Sequence, residues 1–470
     1  METFDVVVIG AGPGGYPAAI RAAQLGASVA IVEKEQLGGT CLNWGCIPTK
    51  AMIAAADTFA KIKRAEAFGI TVTGASVDYA ALVGQKNKIV SQLKSGIKQF
   101  LTANGVKQFA GAASFKDRNT ILISDGAVIG ARKVIIATGA ISAMPGFLPR
   151  HPRVVDSRGF LDITKLPGSM LVLGGGFIGC ELACMAAQLG VKVTIVELLE
   201  DILLLLDPDV RREVRGNMEK ALGIRVLTGK SLEGIQASEN GVTGKFGEET
   251  LQADLLLCAV GRRPVTDGLN LEKAGLKTGG RGFIETDNCC RTKVAGIFAI
   301  GDVTGKVQLA HYATAQGLAA AENAVSQKSR EHSTLVPNVI FTSPEVGTVG
   351  LSEDEAKKQN RAIKTGKFRF AGLGKALASG ETTGFVKWIA DAATGQLLGA
   401  AAVGPHATEL IAQAATAIHL EATVKELGRI IHAHPTFHEA WMESAHAVHG
   451  DAIHAPPKRR GGTALPTDRS

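Results

Sequence analysis

Aromatic side chains are scarce in this chain, with 3 Trp, 3 Tyr and 17 Phe in 470 residues. That leaves little surface on which bases could stack. Strong charge of one sign is missing too. The formal balance is +7, of which residues 456–470 contribute +3 (Lys458, Arg459, Arg460 and Arg469 against Asp468), so the body carries only +4. Such a balance is too mild for a protein that tracks a phosphate backbone. No apolar run approaches the ~18 residues of a membrane span. The cysteines number 7, odd and scattered, which is not the disulfide framework of a small secreted domain. A strand pattern begins at Phe4, leaving no room for a leader segment. The expectation is a cytoplasmic protein, or an organelle protein already trimmed. The tail 456–470, containing Pro, Gly and Arg, is expected to be disordered.

What the chain has in quantity is glycine, 56 residues, and some of it falls in a specific pattern. Residues 4–9 are an apolar run that reads as a buried parallel strand. Gly10, Gly12 and Gly15 follow as G-x-G-x-x-G, then a helical run over 18–25, then a strand over 28–32 ending in Glu33. Strand, glycine turn, helix, strand and terminal acid form a Rossmann unit. The glycines admit a pyrophosphate to the helix N-terminus, and the acid binds a ribose hydroxyl pair. The pattern repeats with a strand over 170–173, Gly174, Gly176 and Gly179, a helix over 180–189 and a strand over 192–196 ending in Glu197. In both units the acid stands 23 residues after the first glycine. Two full patterns imply two dinucleotides. A carboxylate at Glu197 favours the free 2′-hydroxyl of NAD and repels the 2′-phosphate of NADP. Leu198, Leu199 and Glu200 place no cation beside it.

The length suggests about three domains. Between the two units, 85–103 shows a helical stripe, 109–129 reads as short strands with a turn at 117–119, and 133–137 is an apolar strand ending in Thr138-Gly139. The stretch 143–167 holds 4 prolines and little periodicity, a natural crossing between domains. Strand 255–260 ends in Gly261, much as the earlier one ends in Gly139. Strand 296–300 stops in Gly301-Asp302. An acid at that edge of a parallel sheet sits where ligands bind, although it also suits a cap for the helix from Ala310. After Pro337 the character changes: 341–350, 384–391 and 397–403 read as antiparallel strands, followed by helices over 407–420 and 424–431.

Two stretches carry reactive side chains. In residues 38–50, Gly-Gly-Thr-Cys41-Leu-Asn-Trp-Gly-Cys46-Ile-Pro-Thr-Lys50, two cysteines stand five apart just ahead of an Ala-rich helical run over 51–60. Pro48 suits a helix start, and a helix N-terminus stabilises a thiolate. A redox-active dithiol beside a flavin is the hypothesis, with a buried structural disulfide as the plain alternative. In residues 434–439, His434 and Glu439 lie five apart across Pro435, so the carboxylate can orient the imidazole and raise its basicity. His432 and His438 leave a metal site or a chance surface cluster open, since 8 of the 11 histidines lie from His406 onward.

Over residues 4–453 these motifs together resemble the flavoprotein disulfide reductases: the 38–50 segment, both glycine turns, residues 137–139, residues 292–302 and residues 434–439. The resemblance implies an α/β fold with two Rossmann-type dinucleotide-binding domains and a C-terminal α+β dimerisation domain. FAD would lie in a discontinuous domain, 1–142 with 276–336, NAD in 143–275, and the dimer contact in 337–455. In the FAD site it places Gly10, Gly12, Gly15, Glu33 on the adenosine ribose, Lys50 near flavin N5, Thr138, Gly139, and Asp302 on the ribityl chain. In the NAD site it places Gly174, Gly176, Gly179, Glu197 and Gly261, with Glu181 as the ion-pair partner of Lys50. The cysteines would pair as a Cys41–Cys46 disulfide. His434, from the other subunit of a homodimer and oriented by Glu439, would take a proton from a dihydrolipoamide thiol. Cys41 would exchange with the substrate and Cys46 would face the flavin. The implied partners are lipoyl-bearing subunits of 2-oxo acid dehydrogenase or glycine-cleavage complexes, with no nucleic acid, membrane or metal. A related disulfide or metal-ion reductase using NADH is the alternative. Trp44, His438 and the adjacent Cys289-Cys290 depart from the family pattern.

Overall fold

Val6, Val7, Val8 and Ile9 are all buried, as a strand covered on both faces requires. The computed structural model describes residues 1–326 and 329–456, so the expected disordered tail, beyond Pro456, lies outside the described residues. The strand Glu2–Ile9 pairs in parallel with Val29–Glu33 on one side and Val128–Ile136 on the other. Lys107–Ala110 and Ile297–Ala299 extend the sheet, again in parallel. The start of Val128–Ile136 instead pairs antiparallel with Thr120–Ile123, which pairs with Ala113–Asp117. Successive side chains part to opposite faces. Val6 and Val8 pack with Ala18, Ala22 and Ala320 of the helices Gly15–Gln24 and Ala310–Val325. Val7 and Ile9 pack with Phe115, Ile121 and Leu271.

A second parallel sheet has the order Arg225–Thr228, Lys192–Glu197, Ser169–Leu173, Leu255–Cys258, Val154–Asp156. The helix Phe177–Gln188 is buried along most of its length. Leu171, Leu173 and Leu256 pack against Val242 and Leu251 of an antiparallel ribbon, Glu233–Ser238, Gly241–Phe246 and Glu249–Ala253. Both parallel sheets belong to one compact unit, Met1–Ile202 with Leu222–Thr334.

The other unit joins Leu203–Ala221 to the chain from Leu335 onward. Its sheet is antiparallel, in the order Asn338–Ile340, Val346–Gly350, Leu397–Val403, Phe385–Asp391, Ile363–Arg369. The expected strand over 341–350 is two strands parted around Ser343-Pro344, because Pro344 offers no N–H to a ladder. The core centres on Trp388 and Trp441, whose ring centroids lie 4.5 Å apart. The Trp388 Nε1–H donates to the Trp441 carbonyl at 3.0 Å, and the Trp441 Nε1–H to the Leu410 carbonyl at 3.2 Å. Trp441 lies on the helix Glu439–His449, and Leu410 on Ala407–His419. Among the described residues, no helix is long and apolar enough to cross a membrane.

Candidate active site

Cys41 and Cys46 are joined by a disulfide, with Cα atoms 4.7 Å apart. They do not share one helix head. Cys41 lies in the short helix Gly39–Trp44, and Cys46 is the first residue of the helix Cys46–Lys63. Gly45 breaks the chain between them at φ −140°, ψ −112°. A Cβ there would stand 3.0 Å from the Thr40 carbonyl oxygen and 3.3 Å from the Cys41 Cα, so glycine permits the close approach. The Asn43 amide donates to the carbonyls of Leu37 and Gly39, both at 2.9 Å, and ties the short helix down. Only Cys46 therefore has the unpaired N–H groups of a long helix around it to favour its thiolate. Pro48 sits in the first turn, where its missing N–H costs nothing.

One turn after Cys46, Lys50 Nζ meets Glu181 Oε2 at 2.9 Å. Glu181 is buried on the helix that leaves the second glycine turn. This pair ties the disulfide-bearing helix to the second nucleotide unit.

The two glycine turns are built alike. A Cβ on Gly10 would meet the Ala137 carbonyl oxygen at 2.4 Å, and one on Gly15 would meet the Gly10 oxygen at 1.9 Å. In the second turn Gly174 would meet the Ala259 oxygen at 2.6 Å, and Gly179 the Gly174 oxygen at 2.1 Å. The middle glycines differ. Gly176 faces nothing within 4 Å, and Gly12 has only the Gly39 Cα at 4.0 Å. Outer glycines thus close each turn, and the middle one leaves open ground at a helix N-terminus for a diphosphate. Glu33 accepts from the N–H of Ala11 at 2.7 Å and of Glu35 at 2.8 Å. Glu197 accepts from Gly175 at 2.6 Å and Leu199 at 2.9 Å. Each carboxylate is fixed at its strand end and keeps lone pairs for a ribose. The residues present fit two dinucleotides.

Thr138 Oγ1 donates to the Val265 carbonyl at 2.6 Å, and Gly139 and Gly261 both take positive φ. Asp302 lies in the turn Gly301–Thr304 and does not cap the helix Ala310–Val325, whose N-cap is Leu309. Burial pushes the Asp302 carboxyl up, against the Arg262 guanidinium 3.4 Å away. Gln316, fully buried, accepts from the Gly301 N–H at 2.7 Å and fixes this turn. A lone Gln in an Ala-rich helix gave no such signal. Trp44 carries the Arg158 guanidinium 3.9 Å above its ring, and Arg158 pairs with Glu35 at 3.1 Å. Cys289 and Cys290 are buried and not bonded to each other.

In the other unit, His434 Nδ1 meets Glu439 Oε1 at 2.8 Å. The second carboxylate oxygen accepts from the Thr436 N–H at 2.9 Å. Burial works against the charge of Glu439, but the bonds from His434 and Thr436 outweigh it and hold the carboxyl below its ordinary range. A carboxylate only accepts, so Nδ1 carries a proton, and in the neutral ring the lone pair of the exposed His434 is at Nε2. The metal alternative loses His432, whose ring nitrogens are engaged by Gln413 and the Ile430 carbonyl. Among the described residues the one acidic cluster with metal-like spacing is Asp207, Asp209 and Glu353. Lys387 Nζ sits among these three at 2.9, 2.9 and 2.6 Å, so a resident ammonium takes the place of an ion.

A family model for pyridine nucleotide-disulphide oxidoreductase matches residues 4–317, and one for the dimerisation domain of that family matches 336–445. The dihydrolipoyl dehydrogenase of Chlamydia muridarum is 41% identical over 464 residues, 98% of this chain and 100% of the relative. That of Thermus scotoductus is 43% identical over 466 residues, 97% and 99% of the two chains. Among solved structures, LpdA of Mycobacterium tuberculosis is similar with a TM-score of 0.88 at 26% identity, over 95% of this chain and 99% of its own. The HOCl-induced flavoprotein disulfide reductase RclA of Escherichia coli gives 0.86 at 28% identity, over 94% and 99%. With two successive models matched and relatives of equal length this similar, the chain belongs to the pyridine nucleotide-disulphide oxidoreductase family.

Proposed function

We propose that this protein oxidises dihydrolipoamide, carried on lipoyl-bearing subunits of 2-oxo acid dehydrogenase or glycine-cleavage complexes, and reduces NAD⁺. The observation that carries this reading is the Cys41–Cys46 disulfide heading a helix that Lys50 ties to the second nucleotide turn. Curated full-length relatives named dihydrolipoyl dehydrogenase support it. FAD belongs to the first turn, with Gly10, Gly12, Gly15, Glu33, Thr138, Gly139 and Asp302 around it. NAD belongs to the second, with Gly174, Gly176, Gly179, Glu197 and Gly261. We assign 1–142 with 276–336 to FAD, 143–275 to NAD and 337–455 to a homodimer contact.

His434 of a second copy takes a thiol proton on Nε2, and Glu439 balances the imidazolium that results. The substrate thiolate attacks Cys41 Sγ, and the Cys41–Cys46 bond breaks with Cys46 leaving as thiolate. Cys46 is the first residue of its helix, so the unpaired N–H groups there stabilise the thiolate as it leaves. The second substrate thiolate attacks its own sulfur in the mixed disulfide, expels Cys41 and closes the lipoyl ring. The two electrons then reside on the enzyme dithiol. FAD, when bound, supplies the two-electron relay from that dithiol to NAD⁺. Lys50 holds a positive charge one turn from Cys46.

The test is NAD⁺ reduction by the purified holoenzyme with dihydrolipoamide as donor, beside NADP⁺. Turnover with NAD⁺ and at least ~100-fold less with NADP⁺ is the expected outcome, because Glu197 accepts a 2′-hydroxyl and repels a phosphate. No turnover of the dithiol would send the search to other disulfides or to metal ions.

A further inference from the structure

A second imidazole stands beside the His434–Glu439 pair with its own support. Gln413, on the helix Ala407–His419, bridges two histidines. Its Nε2 lies 2.8 Å from His432 Nε2, and its Oε1 lies 2.9 Å from His438 Nδ1. The chain of bonds ends on a carbonyl: His432 Nδ1 lies 2.9 Å from the Ile430 oxygen. That end fixes every proton in between. A carbonyl only accepts, so His432 Nδ1 bears hydrogen, and the neutral ring offers a lone pair at Nε2. The amide must then present N–H to His432 and oxygen to His438. His438 Nδ1 therefore bears hydrogen, and its Nε2 is left as a lone pair. His434 is in the same condition, with Nδ1–H held by Glu439. Both residues are exposed, and they stand four positions apart in sequence.

We propose that His438 is a second base for the dithiol substrate, and that Gln413 and His432 are positioning residues that fix the tautomer it presents. The inference rests on the dithiol reading above. A dithiol gives up two protons as it becomes a ring disulfide, and one imidazole accepts one. His434 takes the proton of the thiol that attacks Cys41. His438 Nε2 takes the proton of the second thiol, whose thiolate then attacks the mixed disulfide and expels Cys41. Burial holds the His438 pKa below its ordinary value, reinforced by His432 and by His406 at the N-cap of Ala407–His419. Both disfavour the imidazolium and so favour the neutral ring. Acid disables it through its own charge, since an imidazolium offers no lone pair at Nε2.

The experiment uses the full-length holoenzyme and four forms: wild type, His438→Ser, Gln413→Leu and Gln413→Glu. Reduction of the enzyme by dihydrolipoamide is followed by stopped flow from pH 5.5 to 9, with reduction by NADH as a control that does not involve the bases. His438→Ser is expected to slow the dithiol reaction ~10-fold, to make its acid limb shallower, and to leave reduction by NADH unchanged. Gln413→Leu is expected to behave alike, and Gln413→Glu to restore the rate, because a carboxylate accepts from His438 Nδ1–H as the amide oxygen does. In ¹⁵N-histidine-labelled enzyme, His438 should show protonated Nδ1 and bare Nε2 in the wild type, and both tautomers in Gln413→Leu. A His438→Ser profile superimposable on the wild type, or a wild-type His438 protonated at Nε2 at neutral pH, overturns the proposal. If His438→Ser does not fold, the two Gln413 variants decide between the same outcomes. Wild-type enzyme that reacts with NADH but not with dihydrolipoamide overturns the functional reading instead.

Discussion

Lys387 is the residue whose environment most contradicts its type. It lies in the strand Phe385–Asp391, is 1% exposed, and meets three carboxylates. Burial works against its charge, but Asp209 and Asp207 outweigh that and raise its pKa. Burial likewise opposes the charge on Asp209, yet Lys387 and Lys367 hold its pKa lowered. The signs fix where stability is lost. The contribution of a raised lysine is complete below its unfolded value, about 10.4, and fades only as pH rises through the higher folded one. That of a lowered aspartate is complete above about 3.9 and fades as pH falls through the lower folded value. Between those limits the cluster contributes fully. Lys387→Met takes the ammonium from buried Asp207 and half-buried Glu353 and leaves Asp209 with Lys367 alone, so it should cost about 3–5 kcal/mol at pH 7. At about pH 3, below the unfolded value of an aspartate, the Asp209 contribution of the wild type is fading, and the gap to the variant should narrow. Thermal unfolding at the two pH values checks this, and an equal gap at both would refute it. In sequence Lys387 looks like a blemish in an apolar strand. Two of its three partners lie about 180 residues away, and nothing local announces them.

At the scale of elements, the parts with a local signature were legible and those defined by distant contacts were not. Both glycine turns, the 38–50 segment and the His434–Glu439 spacing are short patterns whose geometry the backbone dictates: the turns stand at their strand ends, Cys41 and Cys46 are bonded, and His434 meets Glu439. The strand Ile363–Arg369 escaped notice because only Gly366 and Phe368 are buried in it, too weak an alternation to stand out. The helix Glu439–His449 escaped notice too, because Glu439, Glu443, His446 and His449 interrupt its apolar residues. The segment Leu203–Ala221 follows a nucleotide-binding pattern in sequence but belongs to the C-terminal unit, through the Lys387 cluster. Gln413 carries no signal at all, since an amide's role depends on what it bridges. The same two unread elements position the proposed catalytic pair, His434 and Glu439. A Cβ on Gly366 would stand 2.0 Å from the Ser444 carbonyl oxygen and 2.6 Å from the Val448 nitrogen. Gly366→Ala must push back the helix Glu439–His449, and Glu439 at its first turn holds His434. The substitution should cost at least ~1–3 kcal/mol by overpacking and slow dithiol turnover while leaving reduction by NADH untouched. A variant that loses stability but keeps full dithiol turnover would show that the helix moves without carrying Glu439.

At the scale of the whole molecule, the residues of the proposed chemistry are divided between two units of one chain. Cys41, Cys46 and Lys50 belong to the first, and His434 and Glu439 to the second. The proposed homodimer joins them across copies, and two-fold symmetry gives that arrangement a numerical signature. Cys46→Ser removes the dithiol, and His434→Gln removes the base, so each homodimer alone should be nearly inactive. In a mixed dimer one site brings both substitutions together and is dead. The other combines an intact disulfide from one copy with an intact His434 from its partner. Random reassociation makes half of all dimers mixed, and each has one working site of two. The mixture should therefore recover about one quarter of wild-type turnover, a value set by the symmetry alone. If His434 served the disulfide of its own chain, every site in the mixture would lack one part, and activity would stay at the level of the separate variants. Denaturing the two variants together and refolding them with FAD, then assaying dihydrolipoamide oxidation, separates one quarter from none.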